Sequence, residues 1–126
     1  MCGLVGFIDF FCETDQQVLS LMSSTLSHRG PDAEGSKLYF DKARAIGFAH
    51  RRLSIIDLSE LGNQPLVYKN YTVIFNGEIY NYKEIKESLV KLNHVFNSES
   101  DTEVILHAYE EWGYIGTYKL HGIINT

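Results

Sequence analysis

The sequence predicts an α+β fold of layered sheets and helices, and three observations carry that expectation. Apolar runs of strand length recur, residues 4–11 and 71–75 being the clearest. Three helix-start signatures, Thr14 with Gln17, Asn81 with Glu84 and Ser100 with Glu103, are each followed by apolar residues at helical spacing. Strands and helices mix without a regular β–α–β alternation, which disfavours a doubly wound parallel sheet.

Taken in order, residues 4–11 form a continuous apolar run broken by Gly6 and Asp9, as expected of a buried strand. Thr14 is the expected N-cap of a first helix, with Val18, Leu21, Met22, Thr25 and Leu26 on one face. His28-Arg29-Gly30-Pro31-Asp32 stops it, because Pro31 cannot continue a helix. Residues 37–40 and 45–50 read as strands, and 53–57 as a short extended piece. The strand at 71–75 is closed by Asn76-Gly77, a strong hairpin-turn dipeptide. Asn81 opens a helix that should bury Ile85, Leu89 and Leu92, and Val95-Phe96 reads as a brief strand. Ser100 starts a third helix with Val104, Ile105, Ala108, Tyr109 and Trp112 on its face. Gly113 ends it, and residues 114–120 suit a final short helix.

Composition narrows the function classes. At 126 residues, 44% hydrophobic and 21% charged, the chain reads as one globular domain, 1–126, able to bury a core. A formal net charge of -5 argues against a nucleic-acid partner, which would want a basic face. No stretch approaches the length of a membrane span, and the run after Gly3 lacks a basic flank for export. Two cysteines, Cys2 and Cys12, make no disulfide framework, so a reducing, cytoplasmic setting is expected. The five histidines, His28, His50, His94, His107 and His121, lack ligand-like spacing, so no metal is assigned.

Chemistry concentrates at four places. Cys2 follows Met1 directly, so removing Met1 would put a thiol and a free α-amino group on one residue. The amine, with a pKa of about 7.7–8.0, could take the thiol proton near neutral pH. Arg52 offers a planar fork of donors for a carboxylate. Glu78 and Asp101 could accept bonds from an ammonium group. The Asn76 side-chain amide and the Gly77 N–H could face an oxyanion on a carbonyl attacked by sulfur. Taken singly, each has a plainer reading: a small buried thiol, a surface ion pair, a hairpin turn, a solvated carboxylate, a helix-start charge. Their co-occurrence favours one amino-acid-binding pocket.

These residues sit in five ordered motifs. They are Met1-Cys2-Gly3-Leu4-Val5-Gly6, His28-Arg29-Gly30-Pro31-Asp32, His50-Arg51-Arg52-Leu53-Ser54-Ile55-Ile56-Asp57, Asn76-Gly77-Glu78-Ile79-Tyr80-Asn81 and Ser100-Asp101-Thr102-Glu103-Val104-Ile105. Together they closely resemble the glutaminase domain of glutamine-hydrolysing asparagine synthetase, a class II glutamine amidotransferase. Glucosamine-phosphate synthase shares the Cys-Gly start but has His-Asn-Gly-Ile where this chain has Phe75-Asn76-Gly77-Glu78.

The resemblance implies a four-layer αββα sandwich of the N-terminal-nucleophile hydrolase type. It implies that Cys2 attacks glutamine to form a thioester, with Asn76 and Gly77 as the oxyanion hole. Arg52 would hold the substrate carboxylate, Glu78 and Asp101 its amine, and backbone groups of Leu53 and Ile55 would line the pocket. The glutaminase step needs no cofactor; ATP and Mg would belong to a synthetase domain or subunit that accepts the ammonia. Such relatives continue beyond the Leu-x-Gly step with an apolar strand where this chain has Ile123-Ile124-Asn125-Thr126. The sandwich is therefore expected to be incomplete at its C-terminal side, without the synthetase domain. Open strand edges would then favour a homo-oligomer. The competing reading is a catalytically inactive glutamine-binding or interaction module.

Overall fold

The computed structural model describes residues 2–53 and 60–124. Its elements divide into two compact units, residues 1–54 with 63–65, and residues 55–62 with 66–126.

The first unit is an antiparallel three-stranded sheet with one helix. Strands β1 (Gly3–Asp9), β2 (Ala33–Phe40) and β3 (Ala45–Arg52) lie in the order β1-β3-β2. Gly3 pairs with Arg51 and Asp9 with Ala45, while Ala33 pairs with Arg52 and Phe40 with Ala45. Helix α1 (Gln16–Ser24) lies against this sheet, and Leu19 meets Val5 and Ala49 in its core, with Phe7, Leu26 and Leu38 around them. Both β2 and β3 are longer than their apolar runs, because Glu34 and Arg51 occupy ladder positions that the apolar pattern does not mark.

Helix α1 departs from expectation twice. Asp15, not Thr14, is the N-cap, its carboxylate accepting from Gln17 N at 2.9 Å and Val18 N at 3.0 Å. Thr14 is drawn away because its N–H and hydroxyl both donate to Asp9, each at 2.7 Å. With N–H groups of Phe11 and Glu13 also on that carboxylate, the Asp9 pKa falls to about 2, the Phe11 N–H contributing most. The buried face of α1 is Leu19 and Ser23, while Val18, Leu21 and Met22 are exposed. The small Ser23 is the contact that Arg51 needs: its Nε donates to Ser23 O at 3.3 Å and Oγ at 3.2 Å. At the opposite end of the sheet Ile8, Phe10, Phe11, Tyr39 and Phe40 are all exposed.

Among its described residues the second unit holds two small antiparallel pairs, three α-helices and a short 3-10 turn at Glu60–Gly62. Strand β4 (Leu66–Tyr68) pairs with β5 (Tyr71–Val73), and β6 (Gly77–Ile79) with β7 (Gly122–Ile124). Helices α2 (Tyr82–Lys91) and α3 (Asp101–Trp112) pack together around Leu89, Val104 and Ala108, and α4 (Tyr114–Thr117) follows Gly113. Asn76-Gly77 is not a hairpin turn: Gly77 begins β6, and Gly113 is the positive-φ glycine among the described residues. Asn81 stands at the N-cap of α2 without capping it. Its side chain instead bridges to Lys119 O and His121 N, each at 2.8 Å. Leu92 and Val95 are exposed, and residues 95–96 form no strand. The Ser100 cap of α3 holds, accepting from Thr102 N at 3.2 Å. Glu103, though, leaves the expected box and, still buried, takes the Asn97 and Ser98 N–H groups and the Ser98 hydroxyl. Burial opposes its charge, yet these bonds hold Glu103 below the usual carboxylate range.

Candidate active site

The two-residue period of a strand sends Arg51 and Arg52 to opposite faces of β3. Arg51 lies on the α1 side, where it also pairs with Glu34 at 2.8 Å. Arg52 lies on the other face, 8% exposed, its Nη1 donating to Asn63 Oδ1 at 2.7 Å. The register that pairs Gly3 with Arg51 puts Cys2 level with Arg52. Cys2 is half-buried and is held by the next peptide: Leu53 N donates to Sγ at 3.3 Å, and Sγ lies 3.7 Å from Leu53 O. The sequence-predicted Cys2, Arg52 and Leu53 are thus brought together, Leu53 meeting the Cys2 sulfur through its backbone. Ile55 lies outside the described residues.

Two features around these residues were not anticipated. Asn63 fixes the Arg52 guanidinium from eleven residues downstream, on a segment whose only sequence signal is the polar pair before Pro65. Gly30 is pressed onto the Arg51–Arg52 peptide: an added Cβ would meet the Arg51 carbonyl carbon and oxygen at 2.3 Å and Arg52 N at 2.6 Å. Asp32 N then donates to Arg52 O at 3.0 Å. His28, Arg29, Pro31 and Leu53 line a shallow depression of about 550 Å³ there. The His28–Asp32 motif is therefore the brace that sets where Arg52 and Leu53 stand.

In the second unit, Asn76 leads into β6, followed by Gly77 and an exposed Glu78. Asp101, at the first turn of α3, is 6% exposed and accepts from Ile79 N at 2.9 Å. This bond ties α3 to the strand that carries Gly77 and Glu78. Burial raises the Asp101 pKa above the ordinary range, and the nearby Glu78 charge pushes the same way; the N–H groups of Ile79 and Thr102 only partly offset this.

That strain has a measurable sign. Because the folded pKa of Asp101 lies above its unfolded value, its charge destabilises the fold at neutral pH, and the penalty fades as pH falls through the folded pKa toward about 3.9. Asp101→Asn, which can still accept from Ile79 N, should melt above the wild type at pH 7. That gap should close near pH 4, as scanning calorimetry at both values would show.

Folding also gathers a cluster that spacing along the chain did not reveal: His94, His107 and Glu110 have donor atoms within 4.8 Å of one another. Among the described residues no helix is long and apolar enough to cross a membrane.

The family profile of the glutamine amidotransferase domain matches residues 1–125. Asparagine synthetase [glutamine-hydrolyzing] 1 of Bacillus subtilis (strain 168) is 43% identical over 129 residues, covering 98% of this chain and 20% of that relative. The putative asparagine synthetase [glutamine-hydrolyzing] 2 of Methanocaldococcus jannaschii is 37% identical over 139 residues, covering 98% and 26%. Asparagine synthetase [glutamine-hydrolyzing] 1 of Arabidopsis thaliana is 39% identical, covering 99% and 21%. The chain spans between 20% and 26% of the length of these three relatives.

Proposed function

Since this chain belongs to the glutamine amidotransferase domain family, we propose that it hydrolyses glutamine to glutamate and ammonia through a thioester on Cys2. The observation that carries this reading is the Cys2 sulfur held at the Leu53 peptide, level with a buried Arg52. In the proposed reaction the Cys2 α-amine, free once Met1 is removed, takes the thiol proton as Sγ attacks the side-chain carbonyl carbon of glutamine. The C–N bond breaks, and the amine returns the proton to the departing ammonia. Water then adds to the thioester, the C–S bond breaks, and glutamate leaves with the thiol restored.

The remaining residues divide by charge. Arg52, oriented by Asn63, takes the α-carboxylate, and Glu78 with Asp101 takes the α-ammonium. The Asn76 amide and the Gly77 N–H take the oxyanion, where loss of one donor costs on the order of 10²–10³ in rate. Leu53 and Ile55 supply backbone lining. This half-reaction uses no metal or cofactor. In the full protein the ammonia passes to a synthetase domain or subunit that uses ATP and Mg to make asparagine from aspartate. For the whole domain the proposed architecture is the four-layer αββα sandwich; an antiparallel sheet with a helix packed on it in the first unit, and α3 on β4, β5 and β6 in the second, support it.

Glutamate release by the Met1-processed protein tests the reading. Arg52→Ala should raise KM for glutamine about 100-fold or more and leave turnover of simple amides that lack an α-carboxylate unchanged. An Arg52→Ala enzyme with unaltered KM for glutamine would remove Arg52 from substrate binding.

A further inference from the structure

The second unit holds a polar cluster that glutamine hydrolysis does not use. His94 follows α2, and His107 and Glu110 stand one helical turn apart on α3. His94 Nδ1 and His107 Nδ1 are 2.9 Å apart, and His94 Nδ1 lies 3.8 Å from Glu110 Oε2.

The nitrogens on the far side of each ring decide what belongs between them. His94 Nε2 lies 2.9 Å from Glu111 Oε2, and His107 Nε2 faces Glu103 Oε1 at 3.5 Å. A neutral imidazole whose Nε2–H points at a carboxylate carries its lone pair on Nδ1. Both rings then aim lone pairs at one another, which is repulsive unless a positive centre joins them. Glu110 adds a third donor: one oxygen pairs with Lys69, while Oε2 is buried without a hydrogen-bond partner. Among the described residues, those ion-paired with the two imidazoles or with Glu110 are Glu103, Glu110 and Glu111 against one ammonium, Lys69, a formal excess of two negative charges. A dication matches that excess, whereas one shared proton leaves it half met. The His107 ring is held in place, fully buried between Tyr68 and Phe96, with centroids at 4.1 and 4.2 Å.

We infer that His94 Nδ1, His107 Nδ1 and Glu110 Oε2 form a binding site for a divalent transition-metal ion of the zinc class. Two imidazoles and a carboxylate are a donor set such ions favour, and metal-bound histidines characteristically turn their other nitrogen to a carboxylate, as His94 does to Glu111 at 2.9 Å and His107 to Glu103 at the longer 3.5 Å. Metal–nitrogen bonds of about 2.0–2.1 Å in tetrahedral geometry need the two nitrogens roughly 3.3 Å apart, a separation of the rings by a few tenths of an ångström. A cleft of about 260 Å³, lined by Tyr68, Lys69, Asn93, His94 and Glu110, reaches the site and leaves room for a water as fourth ligand. The ion would pin the segment after α2 onto α3.

The test is titration of the chelator-treated full chain with Co²⁺ alone, followed by displacement with Zn²⁺. One Co²⁺ per chain is expected, with the visible spectrum of a four-coordinate nitrogen–oxygen site and no thiolate charge-transfer band. Alkylating both thiols should leave it unchanged. Glu110→Gln and His94→Gln should each weaken Co²⁺ binding about tenfold or more with unchanged far-ultraviolet circular dichroism. No saturable binding, binding that survives both substitutions, or a thiolate band that alkylation abolishes would each overturn the inference. None of these readouts depends on glutamine turnover.

Discussion

Cys2→Ala should reduce glutamate release by on the order of 10⁴–10⁶ in rate while leaving the protein folded. The fold survives because the thiol is half-buried and its polar partners among the described residues are the backbone groups of Leu53. Removing it leaves a space the size of one sulfur at the entrance of β1, not a hole in the Val5–Leu19–Ala49 core. Glutamine binding should survive as well, since the groups proposed for the two ends of the substrate are untouched. The informative experiment therefore pairs steady-state glutamate release with calorimetric glutamine binding. A Cys2→Ala protein that hydrolyses glutamine at the wild-type rate would eliminate the thioester. Retention of Met1 should mimic the substitution, because the proton acceptor would be missing although the sulfur is present.

Gly30→Ala should cost about 2–3 kcal/mol of stability and also weaken glutamine binding. The atoms that a Cβ would strike, Arg51 C and O at 2.3 Å and Arg52 N at 2.6 Å, are main chain in the central strand. They cannot swing aside like the tip of a side chain. Relief requires the 28–32 loop to lift, which breaks the 3.0 Å bond from Asp32 N to Arg52 O, or β3 to shift and carry Arg52 and Leu53 with it. Gly113 is the control: a Cβ there meets nothing within 4 Å, but φ is +60°. Its replacement should strain only the local backbone, by about 1–3 kcal/mol, with KM unchanged. Urea denaturation with glutamine KM for both variants checks this. A Gly30→Ala protein of wild-type stability would show that the brace does not bear on Arg52.

What was legible in the sequence, and what was not, has a physical reason. The motifs around Cys2, Arg52 and Asp101 stand out because few other residue types suit the chemistry expected of them, whereas the close approach of Gly30 to the Arg51–Arg52 peptide leaves no mark beyond a Gly-Pro pair. The misreadings share another cause, competition for the same polar groups. Asp9 captures Thr14, which leaves the cap of α1 to Asp15. Lys119 and His121 claim the Asn81 side chain, and the residues before α3 claim Glu103. Likewise the apolar stripe Val18–Leu21–Met22 looked like the packed face of α1, yet Arg51 reaching for Ser23 marks the face that meets the sheet. The Asn76-Gly77 dipeptide is usually a hairpin turn, but pairing with β7, more than forty residues later, keeps it extended. The three-residue β4 and β7 were too short to register as apolar runs. The His94–His107 contact joins residues thirteen apart, across a connection whose path no spacing rule specifies.

The aromatic end of the first sheet has a practical corollary for anyone handling the protein. Ile8, Phe10, Phe11, Tyr39 and Phe40 gather where β1 and β2 both flank Ala45, while the molecule as a whole carries only five net negative charges to keep copies apart. Sulfate and phosphate buffers, which are excluded from protein surfaces and strengthen apolar association, should therefore promote its self-association more than chloride does at equal concentration.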